Sequence, residues 1–323
     1  MGKKLLLMAI VFVALLLIGF MTKFDKNESD LDVVRVAEVT HSAFYTPFYV
    51  AIEKGYFEDN NIKIDLILTS GANNVTAAVI SGDVHVGFCG PEATIYVYQN
   101  NEKDYIKSFA GLTKRDGQFI VGRNKIDDFK LEDLKGMEVL AGRVGGMPIV
   151  NFKTALANEN ISEVKVNDSV DFANLTSAFI SGQGDAVNLF EPNATKLEKQ
   201  GFGYVLGSVG KYAGEVPYTA FNAKKSFITG NKDLINRFRD ALNKGLEYTN
   251  QNISSVLAKD ILSQFPDTSL NDLELIIERY KNADTWLMNV NINEKMFDNL
   301  VDMLINNKMI DERPLFSDLI TND

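Results

Sequence analysis

Two stretches a hundred residues apart are written in nearly the same letters. They are TAAVISGDVHVGFCGPEA at 76–93 and TSAFISGQGDAVNLFEPNA at 176–194. With one inserted residue they align as T-x-A-x-I-S-G, then Asp, an apolar pair, an aromatic residue, Pro and Ala. Each copy reads as the end of a helix, a Gly turn, a strand and a loop. The match runs through all four parts, which is more than the recurrence of Gly and Asp in turns supplies. The chain is therefore expected to hold two α/β lobes with one copy in each. Each copy ends on a strand tip and a Pro-containing loop, Gly90-Pro91-Glu92 in one and Glu191-Pro192-Asn193 in the other. In open parallel sheets ligands bind beyond the carboxyl ends of the strands. Two such loops facing each other would frame a cleft.

The surrounding sequence supports alternating strands and helices. VVRVAEV (33–39) alternates and is Val-rich, so it reads as a strand. Thr46-Pro47 suits a helix start, with Thr as cap and Pro in the first turn. Phe48, Ala51, Ile52 and Gly55 then follow at helical spacing, Gly55 ending the helix in a left-handed turn. Residues 62–68 alternate again, Gly71 opens a helix over 74–81, and Val84, Val86 and Phe88 form a third strand. This order predicts a parallel sheet covered by helices. A helix at 94–101 and strands at 108–113 and 117–123 lead to a second round. That round has a strand at 137–141, a Gly-rich loop opening a helix, a strand at VKVND, a helix at 172–181 and a strand at DAVNLF. YVLGSV and YTAFNA add strands. From about 231 the pattern is helical, with one run through LNDLELIIERYKNADTWL and a last helix near 293–307. Trp286, in that run beside Leu287 and Ile277, reads as packing.

Composition removes several classes. At 323 residues the chain is long enough for two domains. With 33 Lys and Arg against 43 Asp and Glu, the net charge is -10, which argues against nucleic acid as a partner. The single Cys89 permits no intrachain disulfide, and His41 and His85 are too few for a zinc site unless carboxylates complete it. No cofactor or metal is expected. MGKK followed by LLLMAIVFVALLLIGFM is an export signal with its positive charge on the cytoplasmic side. Leu17-Ile18-Gly19 would close a lipobox, but Phe20 stands where the lipid-bearing Cys belongs. Without a clear cleavage site the segment reads as an uncleaved membrane anchor, with a cleaved signal peptide as the alternative. Residues from about 30 onward are then extracytoplasmic, tethered to the outer face of the membrane.

FYTPFYVAIEKGYFEDNNIKIDL, GANNVTAAVISGDVHVGF, LEDLKGMEVLAGRVGG and FISGQGDAVNLFEP occur in this order over residues 33 to 310. Together they resemble the solute-binding proteins of ABC importers, in the group that binds sulfonates, taurine, nitrate and thiamine-precursor pyrimidines (NMT1/THI5-like and SsuA-like). The resemblance implies the two-lobed type II periplasmic-binding-protein fold, with two parallel-rich sheets flanked by helices and joined by a two-strand hinge. It places residues 1–30 as anchor and tether, 31–118 with 220–323 as lobe one, and 119–219 as lobe two. It implies a monomer that hands a small-molecule solute to an ABC-transporter permease and performs no catalysis.

The candidate contacts come from loops after strands. They are His41, Phe44 and Tyr45, then Gly71 and Asn73 at a helix start, and Gly90 with Glu92. Asp116 near the hinge, Gly145 and Gly146 before a helix, Asn188 with Glu191, and Tyr218 near the return crossing complete the set. Several have structural readings too: the glycines as tight turns, His41 as a cap, Phe44 and Tyr45 as core, Cys89 as a small buried hydrophobe. If Glu92 and Glu191 both face the cleft, they repel a sulfonate or nitrate and suit ring N–H, amino or hydroxyl donors. Phe44, Tyr45 and Tyr218 can stack on a planar ligand. The expected solute is a planar heterocycle such as a thiamine-precursor pyrimidine. An aliphatic sulfonate, taurine or nitrate is the alternative, with Arg115 and Arg143 neutralising the carboxylates and helix N-termini taking the oxyanion. A pyrimidine-synthase-like enzyme of the same ancestry is less favoured. Those enzymes carry a CCCFC stretch, where this chain reads VGFCGPEA.

Overall fold

Strand β1 (Asp32–Glu38) runs inward from solvent, its last three residues Val36, Ala37 and Glu38 all buried. The chain leaves it through Ser42, whose hydroxyl accepts the Phe44 N–H at 3.2 Å and starts a 3-10 turn over Ala43–Tyr45. The helix Thr46–Glu53 follows with Pro47 in its first turn. Thr46 does not cap it, because its hydroxyl donates back to the Ala43 carbonyl at 2.7 Å. Gly55 sits at φ 71°, the left-handed turn that ends this helix. The computed structural model describes residues 31–69, 71–142 and 146–322. The apolar amino-terminal segment, Arg143 and Gly145 lie outside the described residues, and no described helix is long and apolar enough to cross a membrane.

Among the described residues, ten strands form two five-stranded sheets. The first holds β1, β2 (Ile62–Leu68), β3 (Val86–Cys89), β4 (Ile106–Thr113) and β10 (Thr219–Lys224). The second holds β5 (Phe119–Gly122), β6 (Glu138–Leu140), β7 (Lys165–Asn167), β8 (Ala186–Leu189) and β9 (Tyr204–Ser208). Their orders are β2-β1-β3-β10-β4 and β7-β6-β8-β5-β9. The repeat supplies β3 and β8, each third in its sheet. Each pairs in parallel with one neighbour, β1 or β6, and antiparallel with the other, β10 or β5. Those two antiparallel strands are the ones the chain enters on crossing from one sheet to the other, so both sheets are mixed rather than purely parallel.

The crossings run side by side. Val216 N–H donates to the Lys114 carbonyl at 3.0 Å, Tyr218 N–H to Thr113 at 3.1 Å, and Val209 N–H to Gln118 at 3.0 Å. Gly210 is pressed so closely on this segment that a Cβ there would lie 2.4 Å from the Asp116 carbonyl oxygen. Phe88 of β3 stacks on Phe221 of β10 with ring centroids 4.2 Å apart, and Phe48, Phe57 and Phe238 extend this core toward the long helix Lys232–Gln251. The periodicity that suggested a helix through Trp286 breaks earlier. The helix Leu270–Asn282 ends, Asp284 turns at φ 52°, and Thr285–Leu287 runs beside β4. Trp286 is buried in that extended stretch and donates its Nε1–H to the Phe44 carbonyl at 2.8 Å. A long-range contact overrides local helix propensity here.

Candidate ligand-binding site

The loop after β1 carries Phe44 and Tyr45 to the place where the two sheets meet. Phe44 is almost wholly buried, with ring centroids 5.3 Å from Tyr45, 5.7 Å from Phe190, 5.7 Å from Tyr218 and 5.4 Å from Tyr280. These rings come from the first sheet, the second sheet, the return crossing and the carboxyl-terminal helices. Gly117, in the first crossing, lies flat against Phe44, since a Cβ there would meet its ring at 2.5 Å. The result is an aromatic wall built from both halves of the chain.

Two buried carboxyls stand against this wall. Glu92 opens the helix Glu92–Gln99, and one of its carboxyl oxygens has no partner among the described residues. Burial pushes its pKa up to about 7. Gly90 makes room for it, since a Cβ at Gly90 would lie 1.9 Å from a Glu92 carboxyl oxygen. Asp116 is fully buried in the first crossing and accepts the Gln118 N–H at 2.6 Å. Burial pushes its pKa up to about 8, against the opposing pull of the Gln118 N–H and the Tyr218 hydroxyl. With its amide turned to satisfy its neighbours, Gln118 also donates to the second Asp116 oxygen at 3.3 Å and to the Pro148 carbonyl at 3.1 Å. Burial raises the Tyr218 hydroxyl well above its usual range, and the charges of Asp116 and Glu92 raise it further, so both carboxyls share its neighbourhood. Tyr45 likewise feels Glu92, after burial and Glu38.

Asn188 is the third residue of β8. It is fully buried, and neither atom of its amide has a partner among the described residues. Buried amides are normally satisfied, so this exception makes Asn188 a candidate for a ligand contact.

The remaining candidates are placed elsewhere or engaged otherwise. His41 is held between two acceptors, the Glu38 carboxylate at 2.7 Å and the Gln264 carbonyl at 2.8 Å, with Tyr49 donating to the other Glu38 oxygen at 2.7 Å. Its pKa is raised, first by the hydrogen bond to Glu38. It ties the end of β1 to the carboxyl-terminal helices. Gly71 and Asn73 are exposed at the start of the helix Ala72–Ser81, and Gly146 precedes the helix Met147–Asn158. The Glu191 carboxylate is wholly enclosed and accepts from the Thr195 N–H at 2.8 Å, the Thr195 hydroxyl at 2.9 Å and Arg279 at 2.9 Å. Glu92 follows its proline and starts a helix, whereas Glu191 precedes its proline and caps one, so the two are not equivalent. Arg115 pairs with Glu215 at 3.1 Å. Cys89 is buried, its thiol pKa pushed up first by burial, and it accepts from Asn222. His85 accepts the Arg35 N–H at 3.1 Å.

Sequence reasoning missed Phe190 and Tyr280. Phe190 was visible as the aromatic that closes the second repeat. Tyr280 carries no local signal, because it reaches the site only through the packing of its helix. Among the described residues, no group of three or more His, Cys, Asp and Glu converges as a metal site.

Two sheets of identical order, crossed twice and closed over a shared aromatic cluster, define a periplasmic-binding-protein fold. A sequence profile of the NMT1/THI5-like family matches residues 26–252, and the chain belongs to that family. It is 37% identical over 273 residues to the binding protein YtlA of Bacillus subtilis (strain 168), covering 84% of this chain and 82% of that one. The fold is also similar to the alkanesulfonate-binding protein SsuA of Xanthomonas axonopodis pv. citri, solved bound to MOPS. The TM-score is 0.67 at 15% identity, covering 90% of this chain and 98% of that one. A ligand-binding component of an ABC-type import system from Staphylococcus aureus, solved with zinc, matches with TM-score 0.68 at 13% identity, covering 90% and 97%. The chain shares the two-lobed fold of these solute-binding proteins.

Proposed function

We propose that the protein captures a planar heterocycle bearing hydrogen-bond donors, such as a thiamine-precursor pyrimidine, and delivers it outside the cytoplasm to the permease of an ABC importer. It does so as a membrane-tethered monomer without turnover. The moving halves are residues 31–118 with 220–323 and residues 119–219, hinged on the paired crossings. The observation that carries the solute class is the set of Glu92, Asp116 and Asn188 against the rings of Phe44, Tyr45 and Tyr218. Two carboxyls accept from ring N–H or amino groups, an amide can donate and accept, and aromatic faces stack on a flat ring. Lys and Arg take no part in the described cluster, so a sulfonate or nitrate would meet no fixed positive charge there.

The test uses protein unfolded and refolded to strip any carried solute, followed by thermal melts with pyrimidines, flavins, sulfonates, nitrate and amino acids. A ligand at about 100 times its Kd adds roughly 2.7 kcal/mol. A shift with an aminopyrimidine that Glu92→Gln or Asp116→Asn removes supports the reading. A shift with sulfonates or nitrate alone, unchanged in those variants, overturns it.

A further inference from the structure

Every polar atom of Glu191 is engaged where the halves meet. Its carbonyl accepts the Ser42 hydroxyl at 2.9 Å, and its N–H donates to the Tyr280 hydroxyl at 3.3 Å. Its carboxylate takes Thr195 from its own lobe and Arg279 from the helix Leu270–Asn282. Ser42, Arg279 and Tyr280 all belong to the part that packs with the first sheet. Arg279 uses its second nitrogen on Glu198, also in the second lobe, and a further NH1 bond reaches the Thr195 hydroxyl at 2.6 Å. The carboxylates of Glu191 and Glu198 are the charged groups that face it. One residue before Glu191 is Phe190, and three before is Asn188, both in the site described above.

We propose that Arg279 and Glu191 form a latch that positions the β8 end of the site and sets the balance between closed and open forms. The latch rests on the reading that the two halves move about the crossings. A guanidinium fork suits the task because it spans two carboxylates in a fixed geometry, which a lysine cannot do. The two repeat loops have thus divided their labour: Glu92 keeps an oxygen for the solute, and Glu191 gives one oxygen to Arg279 across the lobes and the other to Thr195 of its own lobe. Glu191 acts on affinity through position rather than by touching the solute.

The test needs no solute. Cysteines replace Lys103 in the first half and Glu132 in the second, both exposed, and carry spin labels for a pulsed distance measurement, with Cys89 buried and unlabelled. The expected result is a dominant short distance in the parent. Arg279→Gln then lowers the closed-to-open ratio about tenfold, the fold-change one charge-assisted hydrogen bond carries. Arg279→Lys recovers part of it, and Arg313→Gln, whose partners Asp298 and Asp302 lie in the same half, leaves the distribution unchanged. A distribution in folded Arg279→Gln identical to the parent overturns the latch. If Arg279→Gln does not fold, Glu198→Gln carries the test, because it leaves the buried pair in place. A shift to longer distance then supports the latch, and no shift overturns it. Failure of every pyrimidine to bind would sink the proposed solute class without altering these distances.

Discussion

At the scale of single residues, the site runs against ordinary protein economy. Glu92 and Asp116 hold their protons up to about pH 7 and 8 when folded, whereas unfolded carboxyls release them near pH 4. Between those limits the folded chain binds more protons, so these two groups make stability fall as pH rises. Asp116→Asn should remove that group's share of the fall, the share that ends near pH 8, and melt a few degrees above the parent at pH 8. Glu92→Gln should flatten the part that ends near pH 7. Melts at intervals from pH 5 to 8 measure both, and parallel curves for parent and variants would contradict the assignment. Asn188→Leu should raise stability by about 1 kcal/mol by removing an unpartnered buried amide, while weakening solute binding at least tenfold. Denaturant titration and calorimetry read the two effects separately. Asp116, Tyr218 and Asn188 were legible as candidates because each lies in a crossing or near a strand end. The different fates of Glu92 and Glu191 were not legible, because Arg279, which engages Glu191, lies 88 residues further along the chain.

At the scale of elements, most strands and helices follow from period and punctuation. Gly55 and Gly82 end helices at positive φ as their positions suggested. The helix expected through Trp286 instead stops at Asn282, because Thr285–Leu287 is drawn alongside β4 by backbone bonds no local pattern announces. Close packing of the helix Lys232–Gln251 on Thr46–Glu53 depends on Gly245, where a Cβ would fall 2.3 Å from the Pro47 carbonyl oxygen. Gly245→Ala should therefore cost about 1–3 kcal/mol despite its better helix propensity. A gain in stability in urea unfolding would show that the two helices can part without penalty.

At the scale of the whole molecule, the repeated text names the architecture. One strand from each copy stands third in its sheet, and the crossings join the two sheets. What repetition cannot show is how the copies diverged, since one kept an open carboxyl and the other tied its carboxyl across the lobes. Under the proposed function, Glu92 and Asp116 receive donor groups of a flat solute between aromatic rings. Calorimetric titration of the refolded protein with an aminopyrimidine, beside taurine and nitrate, tests it most directly. The account predicts aminopyrimidine binding that Glu92→Gln weakens at least tenfold, with no heat from the anions. Binding of taurine or nitrate, unaffected by Glu92→Gln and with the pyrimidine silent, would contradict it.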